Sequence, residues 1–213
     1  MTITGEFQQG DHVCAIYDSP AEQIAVAAAY VAEGLALGQR CLYASDSEAA
    51  LTRFRAALSD VGVDAVLSER RGALLLKTKH EAHLVDGRFE CERMLRMLNQ
   101  AVEDALNSGF AGLRTCGDMS WLLDDAPGSE QVVEYEALLN EFFQSIRAVG
   151  MCQYDRARLP AGTLDHALAT HRSVVLDNRH QANPFCKPSS VAATRFPQPH
   201  DLNWKIRELR SRR

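Results

Sequence analysis

No apolar run in this chain of 213 residues approaches the ~18 residues needed to cross a bilayer. The opening stretch, Met1 to Gly10, is polar and lacks the apolar segment of a secretory leader, so a cytoplasmic protein is expected. Six cysteines occur but no C-x-x-C pair, which argues against a zinc ribbon or a thioredoxin-type motif. In a reducing compartment they are expected as free thiols. No lysine precedes Lys77, and no glycine lies between Gly10 and Gly34. The pattern G-x-S-x-G is absent, so there is no nucleophile elbow, and no internal repeat is evident.

What is present is ordinary for a globular domain with a real core: 46% hydrophobic and 24% charged residues. The net charge of -5 does not suggest a nucleic-acid or membrane binder. The charge is uneven, however. Seven basic and two acidic residues follow Cys186, about +5, leaving 16 basic and 26 acidic residues, about -10, before it. Such a tail folds back on the acidic body or binds a partner. The organisation expected is one domain over residues 1–186 and a basic tail over 187–213 that holds a short helix near Leu202–Arg210. That tail is too short for a helix-turn-helix unit.

Strand-like and helix-like segments alternate, which predicts a largely parallel sheet covered by helices. His12–Tyr17 reads as the first buried strand. Ser19-Pro20-Ala21-Glu22 then gives a cap, a proline at the first helical position and a capping-box acid, and Gly38 ends that helix. Arg40–Ala44 is the second strand, followed by a helix for which Ser45 and Glu48 form the capping pattern. Gly72–Thr78, Gly112–Cys116 and Val149–Tyr154 are further strands. Phe89–Ser108 and Glu130–Arg147 are amphipathic helices, the second with Tyr135 turned inward. A short helix over Ala161–Thr170 precedes a last strand, Ser173–Leu176, expected antiparallel at an edge.

In open parallel sheets ligands bind beyond the carboxyl ends of the strands. Those ends carry Tyr17 and Asp18, Ser45 and Asp46, Asp118 to Trp121, and Tyr154 to Arg156. Asp18, Ser45 and Asp46 also suit plain helix caps. A phosphate-binding loop needs G-x-x-x-x-G-K-[ST] between strand and helix. Here the link is Asp18-Ser19-Pro20: short, free of glycine and lysine, with an added negative charge and a missing N–H. ATP hydrolysis is therefore not expected.

The stretch from Gly10 to about Pro184 resembles the MEDS domain, the sensory domain of methanogen and methylotroph regulators known from a dichloromethane-responsive repressor. The matching pieces are His12–Asp18 (HVCAIYD), Glu33-Gly34-Leu35, Gly38–Tyr43 (GQRCLY), Gly87-Arg88-Phe89, Gly117–Trp121 (GDMSW), Tyr135-Glu136, Cys152–Arg156 (CQYDR) and Asn183-Pro184-Phe185. MEDS domains are in turn similar to RecA/KaiC-type ATPases. The resemblance implies a three-layer α/β fold, a mostly parallel sheet with helices on both faces, lacking the Walker A loop. It places Asp46 and Glu48 near the catalytic carboxylates of those ATPases and Asp118 near their Walker B acid. It implies the sensing of a small molecule, coupled to transcription or signalling.

The candidate ligand-binding residues are accordingly His12, Cys14, Tyr17, Asp118, Trp121, Glu136, Cys152, Tyr154 and Arg156, with no catalytic set and no named cofactor. Several carry two readings. His12 and Cys14 share one strand face and with Cys116 and Cys152 line either a soft-metal or thiol-reactive site, or simply core. His80-x-x-His83 near Cys91 has one-turn spacing, but no metal is assigned to it. Trp121 is a stacking platform or a core anchor. Glu136 is a solvated acid or a buried partner for Arg156. The expected partners are a small molecule and a regulatory protein, or a second copy of the chain in a homodimer, with no direct contact to nucleic acid or membrane. The competing classes are a degenerate RecA-type nucleotide-binding enzyme and a ligand-free interaction scaffold.

Overall fold

The computed structural model describes residues 3–187 and 199–212. Seven strands form one sheet: β1 (His12–Tyr17), β2 (Arg40–Ser45), β3 (Leu74–Thr78), β4 (Leu113–Asp118), β5 (Ala148–Asp155), β6 (Ser173–Leu176) and β7 (Arg179–Ala182). Their order is β3-β2-β4-β5-β1-β6-β7. All pairings are parallel except β6 with β7. Seven α-helices cover the sheet: α1 (Pro20–Ala36), α2 (Glu48–Asp60), α3 (Ala65–Arg70), α4 (Cys91–Asn107), α5 (Val132–Ser145), α6 (Ala161–Thr170) and α7 (Pro199–Ser211).

Strand alternation divides the core into two layers. Val13, Ala15, Tyr43, Cys116 and Met151 pack beneath α1, α2 and the start of α3. Cys14, Ile16, Leu42, Cys152 and Tyr154 pack beneath α4 to α7. The expected helix–sheet–helix arrangement is present.

Three local expectations are corrected. β6 is not the antiparallel edge: it pairs parallel with β1, and β7, absent from the sequence reading, forms the edge. Asp177 and Asn178 at φ 50° and 61° turn the chain between them, the left-handed pair that a tight hairpin turn requires. The cap of α2 is Ser47, whose Oγ accepts from the Ala50 N–H at 3.4 Å, while Ser45 closes β2. The short helix α3, capped by Asp64, was also missed; at six residues it carries too little periodicity to stand out.

Gly38 does end the first helical segment, at φ 70°. The neighbouring glycine, Gly34, has a different purpose. Arg114 of β4 is fully buried and passes over it. Its guanidinium donates to Gln39 Oε1 at 2.7 Å, Glu33 Oε2 at 2.7 Å and the Tyr30 carbonyl at 2.9 Å, and lies 4.5 Å from the centre of the Tyr30 ring. A Cβ on Gly34 would stand 2.5 Å from Arg114 Cδ and 2.8 Å from Cys41 Sγ. The Glu33-Gly34 and Gly38-Gln39 pieces are thus the socket of a buried arginine.

The basic tail folds back. Leu202, Ile206 and Leu209 of α7 join the core layer over α6, Lys205 pairs with buried Asp165 at 2.9 Å, and Arg210 reaches Asp177 at 2.9 Å and Asp18 at 3.1 Å.

The socket sets an expected sign. In an ordinary helix interior Gly→Ala stabilises by up to about 1 kcal/mol. Gly34→Ala is expected instead to destabilise by roughly 1–3 kcal/mol through overpacking against Arg114, read as a lower urea midpoint. A raised midpoint would remove this account of the motif.

Candidate functional site

The structure separates the residues expected to form one pocket. His12 and Cys14 of β1 and Cys152 and Tyr154 of β5 point to the face under α5 and α6. Tyr17 belongs to the other set of β1 side chains, at the carboxyl edge. His12 pairs in register with Gly150, at the starting end of its strand. The strongest cluster of polar groups therefore lies on the sheet face beneath helices, not beyond the strand ends.

Its centre is Glu136 of α5, only 4% exposed. Glu136 Oε2 is 3.2 Å from His12 Nε2 and 3.2 Å from Nε2 of His171, the residue between α6 and β6. The two imidazole centres are 4.0 Å apart. Cys152 Sγ lies 3.6 Å from His12 Nε2 and 3.8 Å from Glu136 Oε2. Tyr154 donates its hydroxyl to the second carboxylate oxygen, Oε1, at 2.9 Å.

Both imidazoles are held from behind. Asn140, one turn along α5, donates its amide to the carbonyls of Thr170 at 2.6 Å and Glu136 at 3.3 Å. Its oxygen is thereby turned to His12 Nδ1 at 3.2 Å. His171 Nδ1 faces the Ala167 carbonyl at 2.8 Å. Each Nδ1 faces an acceptor and so carries the hydrogen; Nε2 then presents Glu136 with an N–H when its ring is protonated and with a lone pair when it is not. Room for this packing comes from Gly150, where a Cβ would fall 2.2 Å from the Phe143 ring.

Burial opposes ionisation of Glu136, but the two imidazoles reverse it and hold the carboxyl well below its usual range. Burial, then the neighbouring His171, lowers His12. Burial, then Glu136, raises the Cys152 thiol well above its usual range. Four donor atoms, from His12, Glu136, Cys152 and His171, lie within 4.8 Å of one another, and this is the group among the described residues that could hold a metal ion. Of the four, His171 was absent from the expected set. Its position directly before a strand was the available signal.

Next to the cluster, a cavity of about 380 Å³ opens between α5 and α6. Leu122, Val132, Val133, Pro160 and Ala167 give it apolar walls, and Glu136 and Tyr154 bring it into contact with the cluster.

The carboxyl edge is built differently. Ser19 Oγ accepts from the Glu22 N–H at 3.2 Å and Glu22 accepts from the Asp18 N–H at 2.9 Å, so side chains of the chain itself fill the turn after β1. The Asp18 carboxylate is gripped by Arg156, with Nη2 at 2.7 Å, and by Arg210; hydrogen bonding to Arg156 lowers its pKa. A cleft of about 240 Å³ there is lined by Tyr17, Asp18, Asp46, Asp118 and Asp155, together with Arg53 and Arg158. Asp118 caps the following turn through the Ser120 N–H at 2.9 Å. Arg156 serves Asp18 rather than Glu136, which corrects that expected pairing. The Glu136 partners are histidines and a tyrosine.

Residues 11–172 match the family described as MEthanogen/methylotroph, DcmR Sensory domain. The chain belongs to the MEDS family. It is 28% identical over 165 residues to the transcriptional repressor DcmR of Methylorubrum extorquens, an alignment spanning 76% of this chain and 58% of that protein. The chain thus covers less than two thirds of this relative. A KaiC-like protein from the hyperthermophilic archaeon Pyrococcus horikoshii OT3 shares the fold at TM-score 0.56 and 14% identity, covering 80% of this chain and 72% of that one. The architecture is KaiC-like, and the family is a sensory one.

Within this MEDS domain, Trp121 is a core anchor: it is fully buried, its ring 4.8 Å from Phe89 and 5.3 Å from His83. Cys116 lies in the opposite core layer, apart from Cys152. His80 and His83 do not converge, since His80 is exposed and His83 buried against Trp121. No helix among the described residues is long and apolar enough to cross a membrane.

Burial drives His83 down to about 4. The unfolded chain titrates near 6.5, so between those values it binds a proton that the fold refuses, and stability falls as pH drops through this window. The loss by pH 4 amounts to about 3 kcal/mol. Urea unfolding at pH 7 and pH 4.5 should show His83→Leu losing less stability on acidification than the parent. Equal losses would contradict this assignment.

Proposed function

We propose that this chain is a non-catalytic, cytoplasmic sensory module that takes a small, largely apolar molecule into the cavity between α5 and α6 and passes its occupancy to a regulatory protein partner. The observation that carries this reading is the cavity itself. About 380 Å³ with mostly apolar walls and a few polar groups, Glu136 and Tyr154 among them, is the form expected of a small-molecule site. The MEDS match and the repressor relative support a regulatory output. Because the chain corresponds to little more than half of that relative, transcriptional control is itself part of the proposal.

A nucleotide-handling alternative has little physical support. The turn after β1 is occupied by its own side chains, Pro20 withholds an N–H, and four aspartates line the carboxyl-edge cleft. A glycine-rich run of backbone donors and a lysine, which would stabilise a triphosphate, are what this turn lacks.

A panel of short alcohols, ketones and chlorinated alkanes, scanned by thermal unfolding, tests the reading. A compound present at 100 times its Kd adds about 2.7 kcal/mol to stability. The shift should vanish in Val133→Trp, which fills the cavity from a half-buried position, while that variant keeps its helical circular dichroism. A panel that shifts neither protein, or shifts both equally, would count against the cavity. Titration with ATP and Mg²⁺ to millimolar concentration is expected to give no binding heat, and a clear isotherm would favour the nucleotide reading.

A further inference from the structure

We infer that His12, Glu136, Cys152 and His171 form a closed four-donor site for a divalent transition ion of zinc type. The inference does not depend on the cavity being a ligand pocket.

Distance is the first argument. Zinc bonds to nitrogen or oxygen are about 2.0–2.2 Å and to sulfur about 2.3 Å. Placing such bonds at tetrahedral angles separates neighbouring donors by roughly 3.3–3.6 Å. The separations here are 3.2 Å for each histidine against Glu136, 3.6 Å for Cys152 against His12 and 3.8 Å for Cys152 against Glu136. Four of the six edges of a coordination tetrahedron are thus already close to length, and all four donors lie within 4.8 Å of one another.

Hydrogen placement is the second argument. Because Asn140 and the Ala167 carbonyl take both Nδ1 hydrogens, two unprotonated rings would set two lone pairs against a carboxylate oxygen at 3.2 Å. One added proton satisfies one of these contacts and leaves the other as acceptor against acceptor. Two protons would put two imidazolium rings 4.0 Å apart inside the core. A cation at the centre satisfies all of them.

Charge and support complete the case. Two neutral imidazoles, a thiolate and a carboxylate carry -2, which a divalent ion cancels within an apolar layer. The groups behind the donors are those that orient metal ligands elsewhere: an amide oxygen and a backbone carbonyl on the histidines, and the Tyr154 hydroxyl on the outer carboxylate oxygen. With four protein donors the ion has no open position, so it organises the wall shared with the cavity rather than performing chemistry.

The test uses the untagged full chain. Elemental analysis of the purified protein should find one zinc per chain. After chelation, Co²⁺ titration should end at one equivalent, with the strong visible bands of four-coordinate cobalt and a near-ultraviolet thiolate band. Cys152→Ser should abolish the thiolate band, and Tyr154→Phe should weaken metal affinity by about 10–100-fold. Cys116→Ser, in the other core layer, should bind like the parent. The parent alone decides the matter if variants fail to fold. A metal-free preparation that takes up no Co²⁺, or a cobalt spectrum that lacks the thiolate band or keeps it in Cys152→Ser, overturns the inference.

Discussion

A carboxylate cannot be left unpaired inside an apolar layer, and the arrangement of α5, α6, β1 and β5 follows from that one constraint at Glu136. An uncompensated buried charge costs about 3–5 kcal/mol, a large part of the stability of a domain this size. Glu136 is compensated from three elements at once: His12 from β1, Tyr154 from β5 and His171 at the entry to β6. Asn140 ties the same helix to the end of α6 through Thr170. The register of β1 on β5 and the seating of both helices are thus fixed by polar contacts that tolerate little displacement. Apolar packing alone would be more forgiving.

The same constraint explains how a KaiC-like architecture can shift its polar centre. In an open parallel sheet the usual ligand position is beyond the carboxyl ends of the strands. Here that edge is closed by the chain's own groups. Ser19 and Glu22 cap α1, Arg156 and Arg210 hold Asp18, and Lys79 bridges Asp46 and Asp124 at 2.7 and 2.5 Å. Of the acids expected near the catalytic carboxylates, Asp46 is engaged by Lys79, while Asp18, at the same edge, helps to hold α7. The convergent polar groups lie instead one layer over, beneath α5 and α6.

The layered fold was legible in the sequence because it rests on repeated local signals. The short, largely apolar run of β1, the cap at Ser19 and the apolar stripe of α4 each announce themselves over a few residues. The site was legible only in part. His12, Glu136, Cys152 and Tyr154 were singled out, and the structure brings them together. Arg156, Asp118, Tyr17 and Trp121 were assigned to the same pocket, and the structure places them elsewhere. The difference between Tyr154 and Arg156 is not one of strand face, since both positions are even. Arg156 lies just past the end of β5, where the chain has left the sheet and turned toward Asp18. His171 was missed because a lone histidine after a short helix has no periodic partner. Its significance comes from β6 lying beside β1, a long-range pairing that no local pattern encodes. The same gap produced the error over which strand forms the antiparallel edge.

Glu136 belongs to both the cluster and the cavity, and in the proposed sensor this would be a physical route from occupancy to output. One carboxylate oxygen faces the histidines and the other accepts from Tyr154. A guest in the cavity that takes a hydrogen bond from Tyr154, or offers one to Glu136, competes directly for that second oxygen. Because the other oxygen is fixed by groups on β1 and before β6, Glu136 cannot follow the guest without moving the helix that carries it. Under the proposed reading, ligand contact would be converted into strain on α5 against a rigid sheet face. α6 shares that face, and α7 packs on α6 through Lys205 and Asp165 at 2.9 Å. α7 also closes the carboxyl edge through Arg210. A displacement at α5 would reach α7 through the contacts of α6 with both helices.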